Sequence, residues 1–235
     1  MFSKFGHDNW NDAKEYYENV VDVLAKTGVR VLWRDNNSGG DKDVAKRVKD
    51  IKQLKGVDFD RVLFNDLEND IKTTYEDTLV VLHQEGSHGP TYFERYPSEF
   101  KRFTPTCDTQ NLTKCSQEAI VNTYNNTIVY TDYIINRAIE LLKSHETSYE
   151  TSLIYMSDHG ESLGENGIYL HGLPYLIAPD SQKHIPAIIY TESEKRQALQ
   201  TRAHETFSHD NLFHTLLGLF DVQTQEYNPK LDMLR

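Results

Sequence analysis

Four apolar runs of five or six residues punctuate the chain: Val29–Trp33, Thr78–His83, Ser152–Met156 and Ile185–Tyr190. Continuous runs of that length, rich in Val, Ile and Leu, predict strands of a sheet covered on both faces. Between them the apolar residues recur at helical spacing. Asn11–Thr27 places Tyr16, Val20, Val23 and Leu24 on one side, with Gly28 as its stop. Phe59–Tyr75 does the same through Val62, Leu63, Leu67 and Ile71, and Ser116–Ser144 through Ile120, Tyr124, Ile128, Ile135, Ile139 and Leu142. A last helix is predicted over Asp210–Phe220, while the Lys- and Asp-rich stretch 41–56 reads as exposed helix or loop. Strands alternating with helices predict an α/β fold, a mainly parallel sheet sandwiched by helices. With no internal repeat or composition break, residues 1–235 are expected to form a single domain.

Composition narrows what such a domain does. The net charge of −11 leaves no basic face to neutralise phosphates, which argues against a nucleic-acid partner. No apolar run reaches the length needed to cross a bilayer.

The ten histidines carry more information, because several fall where strands end. Ser152–Met156 leads into Asp158-His159, an adjacent carboxylate and imidazole at the carboxyl end of a strand, where α/β sheets bind ligands. These residue types suit Zn²⁺, and Glu161 and His171 follow closely enough to join or support them. His83 and His88 stand at the end of Thr78–His83, in a turn shaped by Gly89-Pro90, and suit metal or phosphate. The polar loop Arg34–Gly40 after Val29–Trp33 suits phosphate binding by exposed backbone N–H groups, though such loops are often only connections. Cys107 and Cys115 lie too far apart for a zinc knuckle and flank a polar, turn-forming run. That favours a disulfide closing a small exposed loop, and hence an oxidising compartment.

Two stretches carry a family resemblance: Ser157-Asp158-His159-Gly160-Glu161-Ser162-Leu163-Gly164-Glu165-Asn166-Gly167 and Tyr169-Leu170-His171-Gly172-Leu173-Pro174. They resemble the signature of bacterial phosphoethanolamine transferases, the lipid A-modifying, polymyxin-resistance enzymes of the alkaline phosphatase/sulfatase superfamily. The resemblance implies that superfamily's fold and zinc as cofactor, with Asp158 and His159 as metal ligands and Glu161 orienting them. It implies that His88, His171 and His83, with Asn37 and Ser38, hold the substrate or a second metal. The reaction implied is transfer of phosphoethanolamine from phosphatidylethanolamine to lipid A or a related acceptor, through a phospho-threonine intermediate. Its implied place is the periplasmic face of the inner membrane. Met1-Phe2-Ser3 resembles the family triplet just past the nucleophilic threonine, so that threonine, a further Glu ligand and the membrane domain are expected upstream of Met1. The chain alone is then expected to be inactive. Lys42 and His209 remain unassigned. A sulfatase or phosphatase of the same superfamily and a non-catalytic fragment are the alternatives.

Overall fold

The computed structural model describes residues 2–4, 16–37, 42–54, 59–72, 76–192 and 195–235. Among these, α1 (Val20–Lys26) begins where Asn19 Oδ1 accepts from Asp22 N–H while the Asp22 carboxylate accepts from Asn19 N–H. This reciprocal cap fixes the helix start three residues past Tyr17, so Tyr16, expected on the buried face, stands 82% exposed. Residues 11–15 of the expected helix lie outside the described residues. Gly28, at φ +93°, lets Val29 N–H reach back to Leu24 O and ends the helix as its position suggested.

The chain then enters β1 (Arg30–Asp35), whose last five residues are all buried. Short α2 (Lys42–Ala45) and β2 (Asp50–Gln53) follow, then α3 (Leu67–Lys72) and β3 (Thr78–His83). The three strands form a parallel sheet in the order β2-β1-β3, Leu32 pairing with Asp50 on one side and Val80 on the other. Strand β2 corrects the expectation of helix or loop over 41–56. It is a polar edge strand with three of its four residues exposed, so it carries no hydrophobic alternation, and charges there discourage pairing with other chains.

The long helix α4 (Gln117–Lys143) is capped by Ser116 Oγ, which accepts from Ala119 N–H. Its buried face includes Ile120, Tyr130, Ile134 and Ile135, but Ile128, expected there, is 45% exposed. Polar Thr123, Asn126 and Thr127 take the inward positions instead because they bind loops. Asn126 Oδ1 accepts from the N–H groups of Arg102 and Phe103, both at 2.8 Å, and Thr123 Oγ1 accepts from Cys107 N–H at 2.7 Å. Beyond α4, β4 (Ser152–Met156) leads to a hairpin of β5 (Ser162–Leu163) and β6 (Tyr169–Leu170), then α5 (Asp180–Lys183) and β7 (Ala187–Thr191). Strand β7 pairs antiparallel with β4, Ile154 opposite Ile189. Helices α6 (Lys195–Arg202) and α7 (Asp210–Leu219) close the chain. His209 occupies the N-cap of α7 without a side-chain cap bond.

The chain divides into two compact units, one of Met1–Asp58, Val62–Gln84 and Glu192–Arg235, the other of Phe59–Arg61 and Glu85–Thr191. The first holds the parallel sheet with α1–α3, α6 and α7. The second holds α4 and the two antiparallel pairs.

Cys107 and Cys115 are disulfide-bonded, with Cα atoms 5.6 Å apart. The loop it closes is largely exposed, as expected, but the bridge itself turns inward. Cys107 is 2% exposed and packs with Tyr92, Leu112, Ala119, Ile120 and Leu163. The polar residues of the run turn outward while Cys107 and Leu112 turn in. Unreduced, unfolded chain should therefore titrate no free thiol, and Cys107→Ala with Cys115→Ala should lower unfolding stability by about 2–4 kcal/mol in urea melts. Two titratable thiols would refute the pairing.

Candidate functional site

After β4 the backbone of the second unit is held tightly enough to aim two successive side chains. Asp158 Oδ1 accepts from His159 N–H at 3.0 Å. Gly160 donates its N–H to Gln182 O at 3.0 Å, and a Cβ on it would stand 2.1 Å from Ser181 O, so no other residue fits there. The turn Asn166-Gly167, with both φ values positive, returns the chain so that Ser162 pairs with Leu170. That register sets Glu161 beside His171, and Glu161 Oε1 accepts from His171 Nδ1 at 2.6 Å. Its other oxygen, Oε2, accepts from Tyr92 O–H at 2.7 Å. The Glu161 side chain is 4% exposed, so this carboxylate is satisfied by a phenol and an imidazole rather than by bulk water. Burial, and then the bond to Glu161, raises the Tyr92 pKa far above the ordinary phenol value, which keeps Tyr92 protonated as the donor.

His88 arrives from a second direction. Asp60 accepts from the N–H groups of Glu85 and Gly86, both at 2.9 Å, and the Thr127 and Ser87 hydroxyls lie 2.7 Å apart. Arg95 Nε donates to His88 O at 2.9 Å. With its backbone fixed this way, the His88 ring lies 5.2 Å from that of His171 and 6.3 Å from that of His159, and the latter two are 3.8 Å apart.

The three imidazoles share one arrangement. His88 Nδ1 lies 2.7 Å from Gly89 O, His159 Nδ1 lies 3.0 Å from Gly160 O, and His171 Nδ1 meets the Glu161 carboxylate. A carbonyl or carboxylate oxygen only accepts, so each Nδ1 carries a proton, and Nε2 is the ring nitrogen that can meet a ligand. This is how metal-ligating histidines are held. One donor atom each from His159, Glu161 and His171 falls within 4.8 Å of the others. His159 Nε2 and Asp158 Oδ2 are 3.7 Å apart, close to the ~3.4 Å expected of two tetrahedral ligands on one zinc ion. The donor set therefore fits a divalent metal. The side chains of His159 and His171 are 30% and 29% exposed, which leaves one side open to a ligand.

The other predicted residues lie in the first unit or outside the described residues. His83 Nδ1 is 2.9 Å from Asp35 Oδ1, and its ring stands edge-on to Trp33. Asn37 donates its backbone N–H to Asp35 Oδ1 and its side-chain amide to Gln84 O, at the carboxyl ends of β1 and β3. Ser38 lies outside the described residues, and Lys42 begins α2. Two residues not among the predicted site residues, Tyr92 and Asp60, brace the site. The only signal for Tyr92 was its place just after the Gly-Pro turn, and Asp60 lay within a segment read as helix.

Tyr92→Phe leaves Glu161 buried and short of one donor. It should cost about 1–3 kcal/mol of stability and weaken zinc binding roughly 10- to 100-fold in a chelator-competition titration. An unchanged zinc affinity would show that the Tyr92–Glu161–His171 chain does not orient the metal donors.

Comparison with known proteins gives the geometry a lineage. The sulfatase family matches residues 1–222. The chain is 47% identical over 253 residues to phosphoethanolamine transferase EptA of Salmonella typhimurium, taking in 100% of this chain and 46% of that protein. It thus spans about half the length of the curated relatives it matches. The crystal structure of the C-terminal periplasmic domain of phosphoethanolamine transferase EptC from Campylobacter jejuni superposes with a TM-score of 0.87 at 52% identity, over 94% of this chain and 74% of that one. The integral membrane protein lipooligosaccharide phosphoethanolamine transferase A (EptA) of Neisseria meningitidis superposes with a TM-score of 0.89 at 36% identity, over 99% and 47%. With an alkaline phosphatase/sulfatase-like α/β fold and this match along its length, the chain belongs to the sulfatase family, and within it is similar to phosphoethanolamine transferases.

Proposed function

We propose that residues 1–235 form the greater part of one catalytic domain that transfers phosphoethanolamine from phosphatidylethanolamine to lipid A or a related surface acceptor. The reaction takes place at the periplasmic face of the inner membrane, in a longer protein anchored by its own membrane domain. The observation that carries the reading is the cluster of His159 and His171 with the buried Glu161 carboxylate, their donor atoms within 4.8 Å of one another and the His88 ring 5.2 Å from that of His171. Asp158 and His159 would hold zinc. Bound there, zinc supplies a Lewis acid that lowers the pKa of an attacking hydroxyl and offsets charge on phosphoryl oxygens.

The chain's own residues bind and orient. His88 and His171 hold the donor phosphate or a second metal through Nε2. Glu161 accepts the Nδ1 hydrogen bond of His171, so the ring cannot turn its lone pair away from the ligand. We further propose, on the sequence resemblance alone, that Asn37, Ser38 and His83 bind substrate or a second metal. The nucleophile in this reading is a threonine. Its hydroxyl oxygen attacks phosphorus and diacylglycerol leaves, after which an acceptor phosphate oxygen displaces the threonine.

The test uses the full-length protein with zinc and a fluorescent phosphatidylethanolamine, following release of diacylglycerol. His159→Ala or Asp158→Asn should lower turnover at least ~10³-fold, and chelation should do the same reversibly. The 235-residue chain alone should release none. Release by the isolated chain at the full-length rate would place the nucleophile within these residues, and full activity of His159→Ala would overturn the assignment of the metal.

A further inference from the structure

Immediately after His171 the chain does something unusual for a soluble surface. Residues 172–177 are exposed without interruption, and the large side chains among them are apolar: Leu173 at 38%, Tyr175 at 76%, Leu176 at 94% and Ile177 at 67%. Isolated exposed apolar residues need no explanation, but a contiguous patch marks an interaction site. No Asp, Glu, Lys or Arg occurs from Asn166 to Pro179, in a chain where these make up 26%. The segment is a closed turn rather than a loose strand. Ile177 and Ala178 both donate N–H to Pro174 O at 2.9 Å, and Ala178 is buried beneath them. Its base is tied down by Gln182, whose side-chain amide donates to Leu170 O at 3.0 Å. The fold holds the apolar tip outward.

We infer that this turn is a lip that docks on a phospholipid bilayer surface and sets the neighbouring histidines at headgroup depth. The inference rests on the proposed reading of the site as one that takes a phospholipid donor. Three observations favour a bilayer over another occupant. The lip is continuous with the site, since only Gly172 separates Leu173 from His171, the imidazole on Glu161. A lipid whose phosphate lies at His171 must carry its acyl chains away from the polar cluster, and the adjoining turn 172–177 is apolar and holds no charged side chain. At the edge of the lip Lys183 Nζ sits 5.3 Å from the Tyr175 ring, with its carboxylate partner Asp180 at 3.8 Å and 96% exposed. A tyrosine and a lysine bordering an apolar tip suit the boundary between acyl chains and headgroups, where both keep their polar ends in water. The likeness to an integral membrane protein fits a site that works at that boundary.

The test is flotation of the 235-residue chain with vesicles of phosphatidylethanolamine and phosphatidylglycerol, beside zinc titration and thermal melting of each variant. The wild-type chain should float. The triple variant Tyr175→Ser, Leu176→Ser, Ile177→Ser should lose roughly tenfold or more of its partitioning, with zinc affinity and melting temperature unchanged. Ile128→Ser, at an exposed apolar position on α4, should float as wild type does. Equal flotation of the triple variant, or a wild-type chain that stays with the aqueous fraction, would overturn the inference. So would a wild-type dimer that the triple substitution makes monomeric without any vesicle binding, because the lip would then fit a second copy. His159→Ala separates the two readings: it should lose zinc affinity yet still float. A chain that floats by its lip but binds no zinc would sink the reading of the site and leave the lip standing.

Discussion

A buried carboxylate is costly unless its oxygens are hydrogen-bonded, and Glu161 meets that condition with one bond from Tyr92 and one from His171. Much of the second unit's local structure serves those two bonds. Tyr92 is 1% exposed and stays protonated because burial and the adjacent negative charge both oppose ionisation. Its ring packs edge-on against Tyr124 and belongs to the same apolar cluster as Cys107 and Leu163. The disulfide, the start of α4 and the hairpin therefore share one core with the donor that fixes the carboxylate. Charge-assisted hydrogen bonds in a region poor in water are stronger than their surface counterparts, so the angle of the His171 ring is set by packing some distance away.

The same economy explains the polar residues inside α4. An apolar stripe would bury more hydrophobic area, yet Thr123, Asn126 and Thr127 face inward. Each satisfies backbone or hydroxyl groups of the irregular segments between β3 and α4, which have no ladder partners of their own. Irregular backbone beside a site carries unpaired N–H groups that need such partners. Asp60 does the same for Glu85 and Gly86. The loop that delivers His88 is thus held from both ends by side chains whose loss would leave buried donors unmet.

The regular elements with buried faces were readable from hydrophobic pattern alone. Strands β1, β3, β4 and β7 and helices α4 and α7 stand within a few residues of where the apolar runs place them. What pattern missed was structure without a hydrophobic signal: β2, whose residues are solvated, and the two-residue strands β5 and β6. The Asn166-Gly167 turn did advertise that hairpin, since both residues tolerate the left-handed backbone it needs. Tyr16 and Ile128 were misplaced because helical spacing fixes a face only once the helix start and its buried polar residues are known. In the site, His159, Glu161 and His171 were visible as chemistry at a strand end, and the structure brings them together. Tyr92 and Asp60 were not visible, because a residue that acts by bonding a distant backbone or side chain leaves no mark in local sequence.

The electrostatics of the cluster constrain what can sit in it. The chain carries a net charge of −11, and the cluster itself contains the Glu161 carboxylate with Asp158 beside it. A phosphate brought there would meet two nearby negative charges with no lysine or arginine among the cluster residues to offset them. Screening by salt acts over ~8 Å and does little across contacts of 3–4 Å within a partly closed site. A divalent cation held by the carboxylates and imidazoles would resolve that conflict, because it would reverse the sign of the field that the phosphate meets.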